Sequence, residues 1–173
     1  MRILIDLQAC QNENRFRGIG RYSIALAKAL CGRNDGNEYW IALNAAMPDT
    51  GDALRSEFSS LVPSERIVSW DMPAPTHASD VRNRWREQVS ELLREAVLAQ
   101  VNADVLLIAS VFDGLHDDSV TSARLVDNGR TRVVAIVYDL IPLVYSKKYL
   151  ADPVTQAWYY RKLATLTAAP CRQ

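Results

Sequence analysis

At 173 residues the chain has room for one domain with a proper core, because a chain of that size buries about 70% of its unfolded surface. Twenty basic residues balance twenty acidic ones, which excludes a global field for nucleic acid or an anionic membrane and leaves anion recognition to local groups. Three scattered cysteines, Cys10, Cys31 and Cys171, fit reduced thiols better than a disulfide framework or a zinc site.

Residues 1–7 (MRILIDL) form a short apolar run suited to a buried strand. Asp6 falls where a signal peptide would need apolar residues, and no apolar run approaches the ~18 residues of a spanning helix, so a cytoplasmic chain is expected. A polar loop, residues 8–17, leads into Gly18-Ile19-Gly20-Arg21-Tyr22, after which Ile19, Tyr22, Leu26 and Leu30 recur at helical spacing. Glycines at a helix start let the backbone approach a ligand, and the first helical amides lack internal partners, so an anion such as phosphate is favoured there. The alternative is that Gly18 and Gly20 serve only a turn and a close helix-to-sheet contact.

A dense turn signal at 33–37 precedes a second strand at 38–44. Residues 45–80 are irregular, punctuated by Pro48, Gly51, Pro63, Pro73 and Pro75, with a short helix expected at 52–61 and a short strand at 66–70. From Ser79 or Asp80 as N-cap, the spacing of Val81, Trp85, Val89, Leu92, Ala96 and Ala99 predicts the buried face of a long helix, with charges of both signs on its solvated face. The continuous apolar runs at 104–108 and 132–138 read as central strands covered on two sides. Asp152-Pro153 opens a last helix through Trp158, Tyr159, Leu163 and Leu166. The pattern predicts an α/β fold: a Rossmann-like, doubly wound, mainly parallel sheet with helices on both faces. Ligands of such sheets sit beyond the carboxyl ends of the strands, here residues 8–21, 109–118 and 138–149.

Within those segments the glycine loop matches only part of a dinucleotide fingerprint. Ser23 stands at the third glycine position, residues 8–17 separate the strand from the loop, and the second strand ends in Asn44 rather than an acid. A Walker-type phosphate loop and a nucleophile elbow are absent from the sequence. His77 lies in a proline-rich loop. His116 sits in Phe112-Asp113-Gly114-Leu115-His116-Asp117-Asp118, where a mixed oxygen and nitrogen metal site is conceivable. Adjacent loop side chains seldom converge on one ion, however, so Asp117 and Asp118 read as turn residues. There is no Asp-x-Asp. Tyr138-Asp139-Leu140-Ile141-Pro142-Leu143 ends a strand in a turn that presents Asp139 at the sheet edge, either as a functional carboxylate or as a turn former above packed leucines.

Taken together, MRILIDLQACQ, Arg17-Gly18-Ile19-Gly20-Arg21-Tyr22-Ser23 and Val137-Tyr138-Asp139-Leu140-Ile141-Pro142-Leu143 resemble the amino-terminal half of a glycosyltransferase with the GT-B fold. More narrowly, the chain is similar to the retaining group-one (family four) bacterial transferases that use a nucleotide-sugar, often GDP-mannose, to build lipopolysaccharide O-antigen or capsular chains. The resemblance runs from residue 1 to about residue 166.

It implies that residues 1–170 form an amino-terminal, acceptor-side domain. The donor-binding carboxyl-terminal domain, with its Glu-x7-Glu pair, is not in this chain, so the isolated chain is expected to be inactive. The resemblance also implies that the amides of Gly18, Ile19 and Gly20, with Arg21 and Arg17, stabilise the departing phosphate without metal or cofactor. Asp139 would orient acceptor or sugar hydroxyls, and Tyr138 stands where many relatives carry histidine. Implied partners are a nucleotide-sugar donor, held by the missing domain, and a saccharide or lipid-linked saccharide acceptor, with no nucleic acid and with room for peripheral contact at the inner membrane face. Two alternatives stand beside this one: a dinucleotide-binding oxidoreductase fragment and a non-catalytic flavodoxin-like interaction module.

Overall fold

The computed structural model describes residues 1–123 and 130–167. Five strands, β1 (Arg2–Asp6), β2 (Glu38–Asn44), β3 (Ile67–Trp70), β4 (Val105–Ile108) and β5 (Arg132–Ala135), form one sheet in the order β3-β2-β1-β4-β5. Every pairing is parallel, with Ile5 beside Ile41 on one side and Leu107 on the other. The expected Rossmann-like, doubly wound sheet is therefore present.

Side chains alternate across the sheet. Ile5, Leu7, Ile41 and Leu43 pack under α1 (Gly18–Cys31) and α2 (Pro48–Phe58) with Ala27, Leu54 and Phe58. Leu4, Ala42, Leu106 and Ile108 meet Leu98 of α3 (Arg84–Gln100) on the opposite face. Two short helices, α4 (Ile141–Val144) and α5 (Ser146–Tyr149), lead to α6 (Pro153–Thr167), whose first turn is held by Thr155 N donating to Asp152 Oδ2 at 2.7 Å, as the Asp-Pro pair predicts.

Four expectations need correction. First, the buried face of α1 is Gly20, Ser23, Ala27 and Cys31, while Tyr22 of the predicted stripe is exposed. Small residues face the sheet there because the helix lies close against it.

Second, α3 begins at Arg84, after a 3-10 turn at Val81–Asn83, and it is turned over. Val81, Trp85, Val89 and Leu92 are exposed, Trp85 by 56%, whereas Glu87, Ser90, Arg94, Glu95 and Leu98 are buried. The two faces are offset by two residues, ~200° around a helix of 3.6 residues per turn. The cause lies in β1, because Asp6 shares the inward face of Leu4 and a buried carboxylate needs a partner. Arg94, fully buried, supplies it through Nη2 and Nε, and its Nη1 donates to Ser122 O at 2.7 Å. The guanidinium also lies 5.7 Å from the Trp70 ring centroid.

Third, β5 is shorter than the apolar run 132–138 and forms the sheet edge rather than a covered centre, with Val134 half exposed. The second helix also begins at Pro48 rather than at residue 52, since proline at a first helical position sacrifices no hydrogen bond. Cys171 lies outside the described residues. Among the described residues no helix is long and apolar enough to cross a membrane.

Candidate functional site

The chain order runs outward from β1 in both directions, to β2 and to β4, so the loops leaving β1 and β4 part at this point and open a crevice at the carboxyl end of the sheet. Its volume is about 730 Å³, within the range of small-molecule sites. One wall is the loop after β1, from Gln11 to Arg17; the other is the loop after β4, from Phe112 to Asp117, with Met47, Thr50 and Trp158 closing the ends.

The first wall is built from a 3-10 turn, Glu13–Phe16, capped by Asn12, whose side chain accepts from Asn14 N at 2.9 Å. It lies flat on α1 because Gly20 has no side chain: a Cβ there would stand 2.3 Å from Asn14 O and 2.4 Å from Arg15 Cα. Below it, Gln11 ties the loop to β2, accepting from Asn44 N at 2.7 Å and donating to Asn44 O at 2.9 Å. The second wall turns at Gly114, with φ of 90° and space for a Cβ denied by Ser119 O at 2.1 Å. Asp117 holds this turn by accepting from Ser119 N at 2.8 Å, the turn role expected of it.

Asp113 joins the walls. Its Oδ1 accepts from Asn12 Nδ2 at 3.1 Å and from Asn14 Nδ2 at 2.9 Å, while Oδ2 makes no hydrogen bond among the described residues. Only 2% of the residue is exposed, and this burial, with the nearby charge of Asp117, raises its pKa against the opposing pull of the Ser110 hydroxyl and of Asn12 and Asn14. Trp158, 7% exposed, is likewise buried with an unpartnered Nε1. It belongs to an aromatic cluster in which Phe112 stacks on Tyr159 at 4.7 Å and meets Trp158 edgewise at 6.4 Å.

Beside the crevice stands the start of α1. Arg17, at the N-cap, offers no side-chain cap; Gly18 is exposed with nothing within 4 Å of where a Cβ would be, and Arg21 is exposed. Tyr138, arriving from β5, shares a 2.6 Å hydrogen bond with Ser23 Oγ and donates to Ile19 O at 3.3 Å, its ring edge-on to Tyr22 at 5.9 Å. The glycine turn and the Tyr138-Asp139 turn therefore occupy the same end of the sheet. Burial raises the pKa of Tyr138, so the phenol stays neutral at neutral pH. Asp139 is exposed, and its Oδ1 accepts from Ile141 N at 3.0 Å.

The residues singled out in the sequence thus separate. Gly18, Arg21, Arg17 and Asp139 border open space; Gly20 is covered by the chain's own loop, and Ile19 O and Tyr138 OH are joined to each other. Gly20 makes a close packing contact, but with the loop at Asn14 and Arg15 rather than between helix and sheet. His116 is exposed on the crevice rim, and His77 pairs through Nδ1 with Ser79 Oγ at 2.9 Å. Asp118 is taken up by Thr76 N at 2.6 Å. Among the described residues no group of three or more His, Cys, Asp or Glu could hold a metal ion. Cys10 and Cys31 are buried free thiols, and burial pushes Cys10 up to about 12, far from a reactive thiolate. Asn12, Asn14 and Trp158 carry no motif of their own and are brought together only by the fold.

No model of a known protein family matches the chain, and no solved structure matches it. Three curated proteins do, each from Escherichia coli and each described as the serotype-specific mannosyltransferase WbdA. The first is 31% identical over 170 residues, 98% of this chain; the others are 29% identical over 130 residues and 28% identical over 116. The chain spans only about a fifth of the length of these relatives or less: 20%, 16% and 14%. With its parallel sheet and its crevice at the switch point, the chain is similar across nearly all of its own length to part of a protein described as a mannosyltransferase.

Proposed function

We propose that this chain is the acceptor-side domain of a glycosyltransferase that moves a hexose, mannose by its relatives' name, from a nucleotide-sugar onto a growing O-antigen or other cell-surface polysaccharide. The nucleotide-sugar is held by a further domain outside residues 1–173, transfer proceeds with retention and without a metal, and the isolated chain does not turn over. The observation that carries this reading is the switch-point crevice, lined by Arg17 at the start of α1, with the Tyr138-Asp139 turn tied to that helix start at the same end of the sheet, in a chain similar to mannosyltransferases.

Transfer breaks the bond between the anomeric carbon and the phosphate oxygen, so negative charge grows on the leaving diphosphate. Arg21 and the open amide of Gly18 face that charge, with Arg17 adding attraction, as preorganised donors that need no reorganisation when the charge appears. Asp139 orients hydroxyls of the acceptor or of the transferred sugar. Tyr138 acts at one remove, tying the end of β5 to the first turns of α1 so that Asp139 and Arg21 keep their spacing. A dinucleotide-binding reading loses its main support because Asn14 O covers Gly20, the glycine a pyrophosphate would have to approach.

The test places this chain in the position of the matching segment of a full-length Escherichia coli relative and follows mannose transfer from GDP-mannose. Transfer is expected from the graft and not from residues 1–173 alone. Arg21→Ala in the graft is expected to lower kcat by about 10²-fold, the usual loss when one charge-stabilising donor is removed. Asp139→Asn, which keeps an oxygen for Ile141 N, is expected to lower transfer while leaving folding unchanged. Robust transfer by the isolated chain, or unchanged kinetics in both variants, contradicts the assignment.

A further inference from the structure

We infer that the outward face of α3 is a docking surface for a second copy of this chain, whose own α3 lies against it antiparallel about a two-fold axis. The surface lies outside the site proposed above and is the stripe that periodicity marks as buried and the fold turns outward.

Trp85, Val89, Leu92, Ala96 and Ala99 are all exposed, Trp85 and Leu92 by 56% each. Steps of four, three, four and three residues separate them, which is the d-a-d-a-d seam with which one helix packs into another. The seam runs ~21 Å along the helix at 1.5 Å per residue. Leu93, 43% exposed, lies on one flank and Gln88 on the other, and none of the exposed positions from Gln88 to Gln100 is charged. A contiguous apolar face marks an interaction surface, and this spacing names a helix as its occupant.

The face complements itself in one direction. With two copies antiparallel and Val89 set opposite Leu92, bulky Trp85 falls opposite small Ala96, so the seam fills evenly. A parallel pair sets Trp85 on Trp85, leaves a gap where Ala96 meets Ala96 and brings the two Arg86 guanidinium groups together. Charge favours the same direction. The last turn of α3 has no basic residue, so its terminal carbonyls keep their partial negative charge. Arg86, 4.9 Å from the Trp85 ring centroid and donating to Asn83 Oδ1 at 2.9 Å, is carried by antiparallel packing toward that end of the other copy. An anionic bilayer is the poorer match, because α3 sets Arg84, Arg86 and Arg94 against Glu87, Glu91 and Glu95 and has no excess of cations. Since α3 links two parallel strands and runs opposite to them, the crevices of the pair open at opposite ends.

A seam this short falls below the ~800 Å² a side of stable interfaces, so a dissociation constant on the order of 10–100 µM is expected, and at the low micromolar concentrations of an unfolding experiment the chain is monomeric. Sedimentation velocity on residues 1–173 over about 1–500 µM is expected to pass from monomer to dimer across that range. Leu92→Glu and Trp85→Glu, both surface changes, are each expected to raise the dissociation constant at least about tenfold while leaving the circular dichroism of the monomer unchanged. The pairing is read by disulfide formation between Val89→Cys and Leu92→Cys, each made with Cys171→Ser, the thiols of Cys10 and Cys31 being buried. Cross-linking is expected to be faster between the two variants when mixed than within either alone. A chain that stays monomeric throughout, a dimer that both glutamate variants leave intact, or cross-linking faster within one variant than between the two overturns the inference. A monomeric chain that floats with phosphatidylglycerol vesicles, and no longer does so as Leu92→Glu, assigns the face to a membrane and overturns it as well.

Discussion

Gly18 and Gly20 share one helical turn and answer to different constraints, which separates packing from ligand approach at the level of single atoms. A methyl group on Gly20 would collide with the backbone of Asn14 and Arg15, which cannot swing aside as a side chain could. Gly20→Ala is therefore expected to destabilise the fold by about 1–3 kcal/mol in urea denaturation. Gly18→Ala meets nothing within 4 Å and is expected to fold at least as stably as the parent. Equal stability of the two variants would show that the loop does not lie on α1 as described.

Asp113 gives a second contrast at the same scale. Its folded pKa is raised by burial, so its contribution to stability is complete below its unfolded value, ~3.9, and is lost as pH climbs through the folded value. Asp113→Asn keeps the shape and removes the ionisation. The melting temperature of the variant relative to the parent is expected to rise between about pH 4 and pH 7, and a difference that is flat with pH would contradict a buried, partly unpaired carboxyl.

Among the elements, α3 shows most directly what sequence pattern can and cannot carry. Its apolar stripe is real, but it faces outward, because the position of a charged residue on another element, Asp6 in β1, decides which side must turn in. Periodicity within a helix reports which residues share a face and not which face the sheet demands. The clue that was present, a carboxylate inside the apolar run of residues 1–7, called for an arginine without saying where it lay. Two substitutions distinguish the orientations. Trp85→Glu is expected to change stability by no more than ~0.5 kcal/mol, as a surface change. Arg94→Ala is expected to cost about 3–5 kcal/mol, because it leaves Asp6 buried and unpaired. The reverse ranking would restore the face that the periodicity suggests. The strands were far more legible: β2 has the bounds its composition indicates, and β1, β3 and β4 agree to within about two residues, since apolar runs between turn signals define buried parallel strands locally.

Across the whole molecule the strand order, and with it the switch point, comes from the structure, but the segments at the carboxyl ends of the strands were legible from the apolar runs, so the region of the site could be read even where its residues could not. The glycine turn and the Tyr138-Asp139 turn announce themselves as motifs. The crevice does not, because Asn12, Asp113 and Trp158 come from three elements far apart in the chain and meet only through hydrogen bonds and aromatic packing that no spacing encodes. On the function proposed above, this end of the sheet would divide the labour: the chain's own loops would receive a saccharide acceptor, and the arginine-flanked start of α1 would meet the leaving phosphate of a donor held elsewhere. Calorimetry on residues 1–173 with an oligosaccharide acceptor, with GDP-mannose and with NAD addresses that division most directly. The account predicts measurable saccharide binding, weak or undetectable binding of GDP-mannose and NAD, and no hydrolysis of the nucleotide-sugar. Tight binding of either nucleotide ligand with no binding of saccharide would contradict it.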